Sequence, residues 1–212
     1  MTTFPGSPRT LRGAVVSVEP TSLARTVVAF QYNPHTLART FEVQGAVGGQ
    51  EAGQLTGPPR ETVRVELVLD ASDAQEVGLG ARGVASQLAA LQGLVTPRSA
   101  DVLDNLALAA SGSIEILPPP GPVTLFVWGP RRVLPVAVTE LGFTEEAHDA
   151  ALNPTLARVT LGMRVLTYAD LPAGHPAHAL TLAGQINREA LAAEAVTGAL
   201  DGVLGTNARL PL

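Results

Sequence analysis

Several short runs of the chain alternate apolar and polar residues. The clearest places Ala157, Val159, Leu161, Met163 and Val165 on one face and Arg158, Thr160, Gly162 and Arg164 on the other. A period of two with one apolar face specifies a half-buried antiparallel strand. Residues 62–69 repeat the pattern, with Val63, Val65, Leu67 and Leu69 inward. Residues 13–18 and 26–32 read as the first two strands. The second is ended by Asn33-Pro34, because proline lacks an amide donor and biases its predecessor toward extended geometry. Residues 123–128 and 133–141 give two more strands, joined through Gly129-Pro130-Arg131-Arg132. Residues 113–117 give another, closed by the proline-rich stretch 118–122, which bars a continuing central strand.

Helical spacing appears in two places. Val84, Leu88, Leu91 and Val95 recur on one helical face ahead of Pro97, and a shorter helix is predicted over residues 102–110. After a linker at 169–176, Leu182, Ile186, Ala190, Ala193, Val196, Leu200 and Val203 form a second stripe. Gly184 and Gly198 weaken that helix by about 1 kcal/mol each relative to alanine. Residues 45–59 are Gly-rich and too poor in side chains to pack a core. These patterns predict a mainly β protein of the α+β class. Its expected form is an antiparallel barrel or two packed sheets, with an inserted helix and a C-terminal helix. The expected organisation is an arm at 1–11, a β domain at 12–168 and a helical extension at 169–212.

Composition changes that picture in one respect. Hydrophobic residues make up 46% of the chain and charged residues 16%, against about 25% charged in an average protein. So little charge predicts a surface largely covered by neighbouring subunits. The net charge of -5 argues against a nucleic-acid surface, which needs clustered Lys and Arg. The absence of cysteine excludes disulfides, thiol catalysis and Cys-based zinc sites. The first residues lack the charged and apolar regions of a signal peptide, and no apolar run reaches the roughly 18–20 residues of a spanning helix. The expectation is a cytoplasmic protein without membrane insertion.

Candidate chemistry is sparse. Gly78-Leu79-Gly80-Ala81-Arg82-Gly83 matches the dinucleotide fingerprint, with Asp101 and Asp104 about 20 residues on. The pyrophosphate site needs a parallel strand ending at the first glycine, and no βαβ alternation follows here, so a loop ahead of the helix is the better reading. Glu145, Glu146, His148 and Asp149 could bind a metal or exchange protons, but they lie between two strands and read as a charged loop. His175 and His178 flank Pro176 in the linker and make a poor rigid metal pair. No cofactor, metal or catalytic residue is assigned.

Two segments carry a family resemblance. Phe30, Tyr32, Asn33 and Pro34, with Leu37 after a short polar run, form an aromatic-x-aromatic-Asn-Pro signature. An aromatic strand ending in Trp128-Gly129, then Phe143 with acidic neighbours, then Leu152-Asn153-Pro154 leading into a strand that ends before Tyr168, form the second. In this order they resemble the tube proteins of contractile injection systems, over roughly residues 12–168. The two Asn-Pro segments also echo one another, which turn chemistry alone explains. The resemblance implies a phage tail-tube architecture and a non-catalytic hexameric ring. The 49–59 insertion, the proline break and the C-terminal helix point to a tube-initiating ring at the junction with the baseplate. Inner tube would lie on one face, and spike, hub or other baseplate proteins on the other. Arg131, Arg132, Arg158 and Arg164 would then pair between subunits with acidic residues such as Glu145 and Glu146. Some relatives carry a C-terminal LysM-type module, and nothing like it follows Tyr168. A major inner-tube subunit is the nearest alternative, and a small ligand-binding or enzymatic β-barrel is the alternative of another class.

Overall fold

The computed structural model describes residues 11–19, 25–45, 56–71, 83–111 and 122–204, with side chains as far as Ala193. Ten elements follow in order: β1 (Ala14–Val18), β2 (Arg25–Ala29), β3 (Leu37–Glu42), β4 (Arg60–Asp70), α1 (Ala85–Gln92), α2 (Ser99–Ala110), β5 (Val123–Val127), β6 (Val133–His148), β7 (Pro154–Val165) and α3 (Pro176–Leu204). The strands form one antiparallel sheet in the order β2-β1-β5-β6-β7-β4-β3. The protein is therefore mainly β with helices, as the periodicity predicts. The barrel or pair of sheets expected from the sequence is instead one sheet, left open at β2 and β3 among the described residues.

One apolar face of this sheet supplies the core. Val63, Val65, Leu67 and Leu69 of β4 and Ala157, Val159, Leu161, Met163 and Val165 of β7 are all buried, which matches the alternation read from the sequence. The sheet curls over them, so that groups far apart in strand order meet. Gln31, just past β2, donates from Nε2 to the Asp70 carbonyl at 2.8 Å, and its Oε1 accepts from the Asp70 amide at 2.8 Å. A side-chain amide thus stands in for a missing ladder step between the two halves. Leu88 and Leu91 of α1 enter the same cluster, with Val84 just ahead of the helix. Val95 does not, because α1 stops at Gln92 and leaves it exposed.

Two elements differ from the sequence reading. β3 is a full strand at the sheet edge, although the sequence shows only a connecting segment there. Its polar composition hid it. β6 runs on to His148 rather than ending near Leu141, so the polar stretch from Thr144 is strand, not loop. Pairing with β7 from Val136 to His148 holds this stretch extended. The strand predicted at 113–117 and most of the Gly-rich segment lie outside the described residues.

The entry to α1 rests on one glycine. Gly83 has φ +57, and a Cβ there would lie 2.0 Å from the Pro154 carbonyl oxygen, which accepts from the Val84 amide at 2.8 Å. The Ala71 amide donates to the neighbouring Thr155 carbonyl at 2.8 Å. Gly83→Ala is expected to cost at least about 2 kcal/mol, combining left-handed strain with a backbone collision. Gly129→Ala, at φ +82 in open space, should cost only about 1 kcal/mol. Urea unfolding of the two variants checks this; equal losses would contradict it.

Candidate functional site

The residues of the first signature organise the start of the chain. Phe30 is buried and joins Phe126 and Trp128 in an aromatic cluster, with ring centroids 6.3 Å and 6.4 Å away. Phe126 and Trp128 stack at 5.9 Å. Asn33 accepts from the Gly13 amide at Oδ1 and donates from Nδ2 to the Leu11 carbonyl, both at 2.8 Å, so it holds the approach to β1. Leu37 packs against the core, Pro34 is half-buried, and Tyr32 is exposed. Gly129, after Trp128, opens the turn in which the Trp128 amide donates to the Arg132 carbonyl at 2.8 Å.

The second signature closes the β6–β7 hairpin. Asp149 Oδ1 accepts from the amides of Ala151 and Asn153 at 2.8 and 2.9 Å, and Oδ2 accepts from Asn153 Nδ2 at 2.9 Å. These bonds, the Asn153 side chain foremost and its amide next, hold the Asp149 carboxyl below its ordinary pKa against an opposing effect of burial. Asn33 and Asn153 thus do different work despite their similar sequence setting. Leu152, in the tip of this turn, adopts φ 63 and is 80% exposed. Phe143 also faces solvent.

The charged candidates turn out to be paired within the chain. Glu145 meets His148 at 3.0 Å, brought to one face by irregular pairing near Ala147. Glu146 meets Arg158 at 3.1 Å across the hairpin, and Arg164 meets Asp170 at 2.7 Å. Burial opposes ionisation of Asp170, but the Arg164 guanidinium and Thr167 outweigh it and keep its pKa low. Arg131 and Arg132 make no ion pair among the described residues. No group of three potential metal ligands occurs there either. Of the dinucleotide fingerprint only Gly83 is described, and its steric role at Pro154 accounts for it; Asp101 and Asp104 lie on α2. His175 accepts from the Ala177 amide at Nδ1, 3.1 Å away, at the start of α3.

The principal polar site was not anticipated. Glu61, 2% exposed, continues the inward parity of Val63 to Leu69, where an apolar residue is expected. Its Oε1 accepts from Arg39 of β3 at 2.6 Å and its Oε2 from Arg188 of α3 at 3.1 Å. The carboxylate therefore ties an edge strand and the C-terminal helix to β4. The sequence did carry a signal: a charged residue in the inward register of a strand needs a buried partner.

Two clefts adjoin this triad. One of about 430 Å³ lies between α3, residues 57–59 and the strand ends, with Phe41, Leu134, Val165, Tyr168 and Leu180 among its walls. The other, about 350 Å³, has a floor of Val133, Leu134 and Leu180 and a rim of Arg39, Arg131, Arg132 and Arg188.

Glu61→Ala deprives two partly exposed guanidiniums of their shared carboxylate and is expected to lose about 1.5–3 kcal/mol. Arg188→Ala should lose less, since Arg188 is half exposed and Arg39 still neutralises the carboxylate. Chemical denaturation tests the order, and a larger loss in Arg188→Ala would contradict it. The Asp149 turn has a definite pH sign. Because the folded pKa is lowered, its contribution is complete above the ordinary carboxylate range and disappears as pH falls through the lowered value. The Ala151 and Asn153 amide resonances should inflect below the usual aspartate pKa; an inflection at or above it would contradict the turn.

No protein-family model matches the chain, and no curated protein matches it in sequence.

Proposed function

We propose that this chain is a non-catalytic structural subunit that closes into a ring, the initiating ring between the inner tube and baseplate of a contractile injection system. The observation that carries self-assembly is the amount of unpaired strand edge. β5 covers only residues 133–136 of β6, so among the described residues the backbone of 137–148 pairs as a strand with β7 alone. β2 and β3 leave two further edges. Edges this long invite pairing with another chain unless something covers them. A copy of the same chain, joined head to tail, is the simplest cover, and repeated head-to-tail contacts either close a ring or extend a filament.

Exposed apolar side chains support the same reading. Leu103 and Leu106 of α2 and Ile186 of α3 each stand more than 60% exposed. With so little charge to coat the surface, such residues favour burial between subunits. The assignment to an injection system rests on the two sequence signatures, whose aromatic, Asn33 and Asn153 residues hold specific turns and packing in the fold. The cleft of about 430 Å³ favours a second reading, a small-ligand binder.

Negative-stain electron microscopy of the purified protein separates these. Closed rings or short stacks are expected. Long regular tubes would instead identify a major tube subunit. Single particles that bind a small molecule in the cleft would favour the ligand-binding reading and overturn the ring.

A further inference from the structure

We propose that the arginine-rimmed cleft beside α3 receives the β6–β7 hairpin tip of a second copy of this chain. The inference rests on the self-assembly reading and adds which surfaces meet. The cleft combines an apolar floor with four guanidiniums on its rim, Arg39, Arg131, Arg132 and Arg188. A single buried carboxylate, Glu61, neutralises Arg39 and Arg188 from below. Arg131 and Arg132 remain without an ion pair among the described residues, and no acidic side chain lines the cleft. In a chain of net charge -5 whose fourteen basic residues are all arginine, this is a local surplus of positive charge. Guanidinium forks match carboxylates well.

The hairpin tip has the complementary chemistry. Glu145, Glu146 and Asp149 gather there. Glu145 contacts His148, Glu146 pairs with Arg158 and Asp149 is held in the turn, so three carboxylates face a single guanidinium and the tip keeps an excess of negative charge. Leu152 projects from the tip, 80% exposed, in a left-handed conformation that costs leucine about 1–2 kcal/mol. A leucine side chain is small enough for a cleft of about 350 Å³, with the acidic groups left at the arginine rim.

Geometry prevents the two surfaces from meeting in one chain. Val133, at the cleft, begins β6, and His148, beside the tip, ends it. Sixteen extended residues place them about 50 Å apart. The contact is therefore heterologous, tip to cleft, and repeats from copy to copy.

Two sets of variants test it, both followed by sedimentation velocity. Reversing Arg131 and Arg132 to glutamate, or Glu145 and Glu146 to lysine, should each raise the concentration needed for assembly about tenfold or more, since facing like charges repel strongly at an interface. Combining both reversals should restore it. In this cysteine-free chain, Leu152→Cys with Ala183→Cys, at the cleft wall, should give a ladder of disulfide-linked copies on oxidation. Ser111→Cys, at an exposed position past α2, with Ala183→Cys should give none. Circular dichroism confirms that each variant is folded. Wild-type assembly that survives both reversals, with no ladder, overturns the contact and leaves the ring reading standing. A wild-type protein that stays monomeric at every concentration overturns both.

Discussion

A single sheet with one apolar face must bury that face on itself, and most of this structure follows from that constraint. β4 and β7 are the apolar centre. β2 and β1 fold across them on one side, and α1 fills the remaining opening with Leu88 and Leu91. Among the described residues no ladder joins the two ends of the sheet, and polar side chains take its place. Gln31 bonds both backbone groups of Asp70, and Asn33 fixes the approach to β1. The core is thus enclosed by curvature and a few directional bonds rather than by barrel closure. This leaves strand edges open that a closed barrel would have consumed.

Glu61 shows the polar side of the same arrangement. At the sheet end nearest α3, the inward position of β4 carries a carboxylate instead of an aliphatic side chain. Isolated, it would be costly to bury; between Arg39 and Arg188 it becomes a fastening for two otherwise peripheral elements. α3 packs against the body from Ala177, which is buried, to Arg188, which reaches Glu61. On the other side of this stretch Ile186 stands exposed, so the 29-residue helix, about 43 Å long, presents an apolar side chain that its own sheet does not cover. The outer face has its own rule. Gly162 sits in register between Arg64 and Glu140, and its missing side chain lets those two meet across β7 at 2.9 Å.

The sequence disclosed most readily what depends on periodicity. The inward residues of β4 and β7 and the core face of α1 could be read directly, because burial on one side leaves a repeating mark. β3 could not, since Arg39 takes an inward position that only Glu61 on another strand explains. The far half of β6 was equally hidden, because its polar residues are held extended by β7 and not by a core. Glu145, Glu146 and Arg158 were recognisable as charged candidates, but their pairing across one hairpin depends on register that spacing alone does not give. Glu61 was legible in principle from parity with Val63, while Arg188, far along the chain, was not.

Self-association is the central claim, and mass photometry across a concentration series tests it most directly. Particles of six copies of the 21.9 kDa chain, growing at the expense of monomer as concentration rises, are the expected result. A monomer that persists unchanged across the whole series would contradict it.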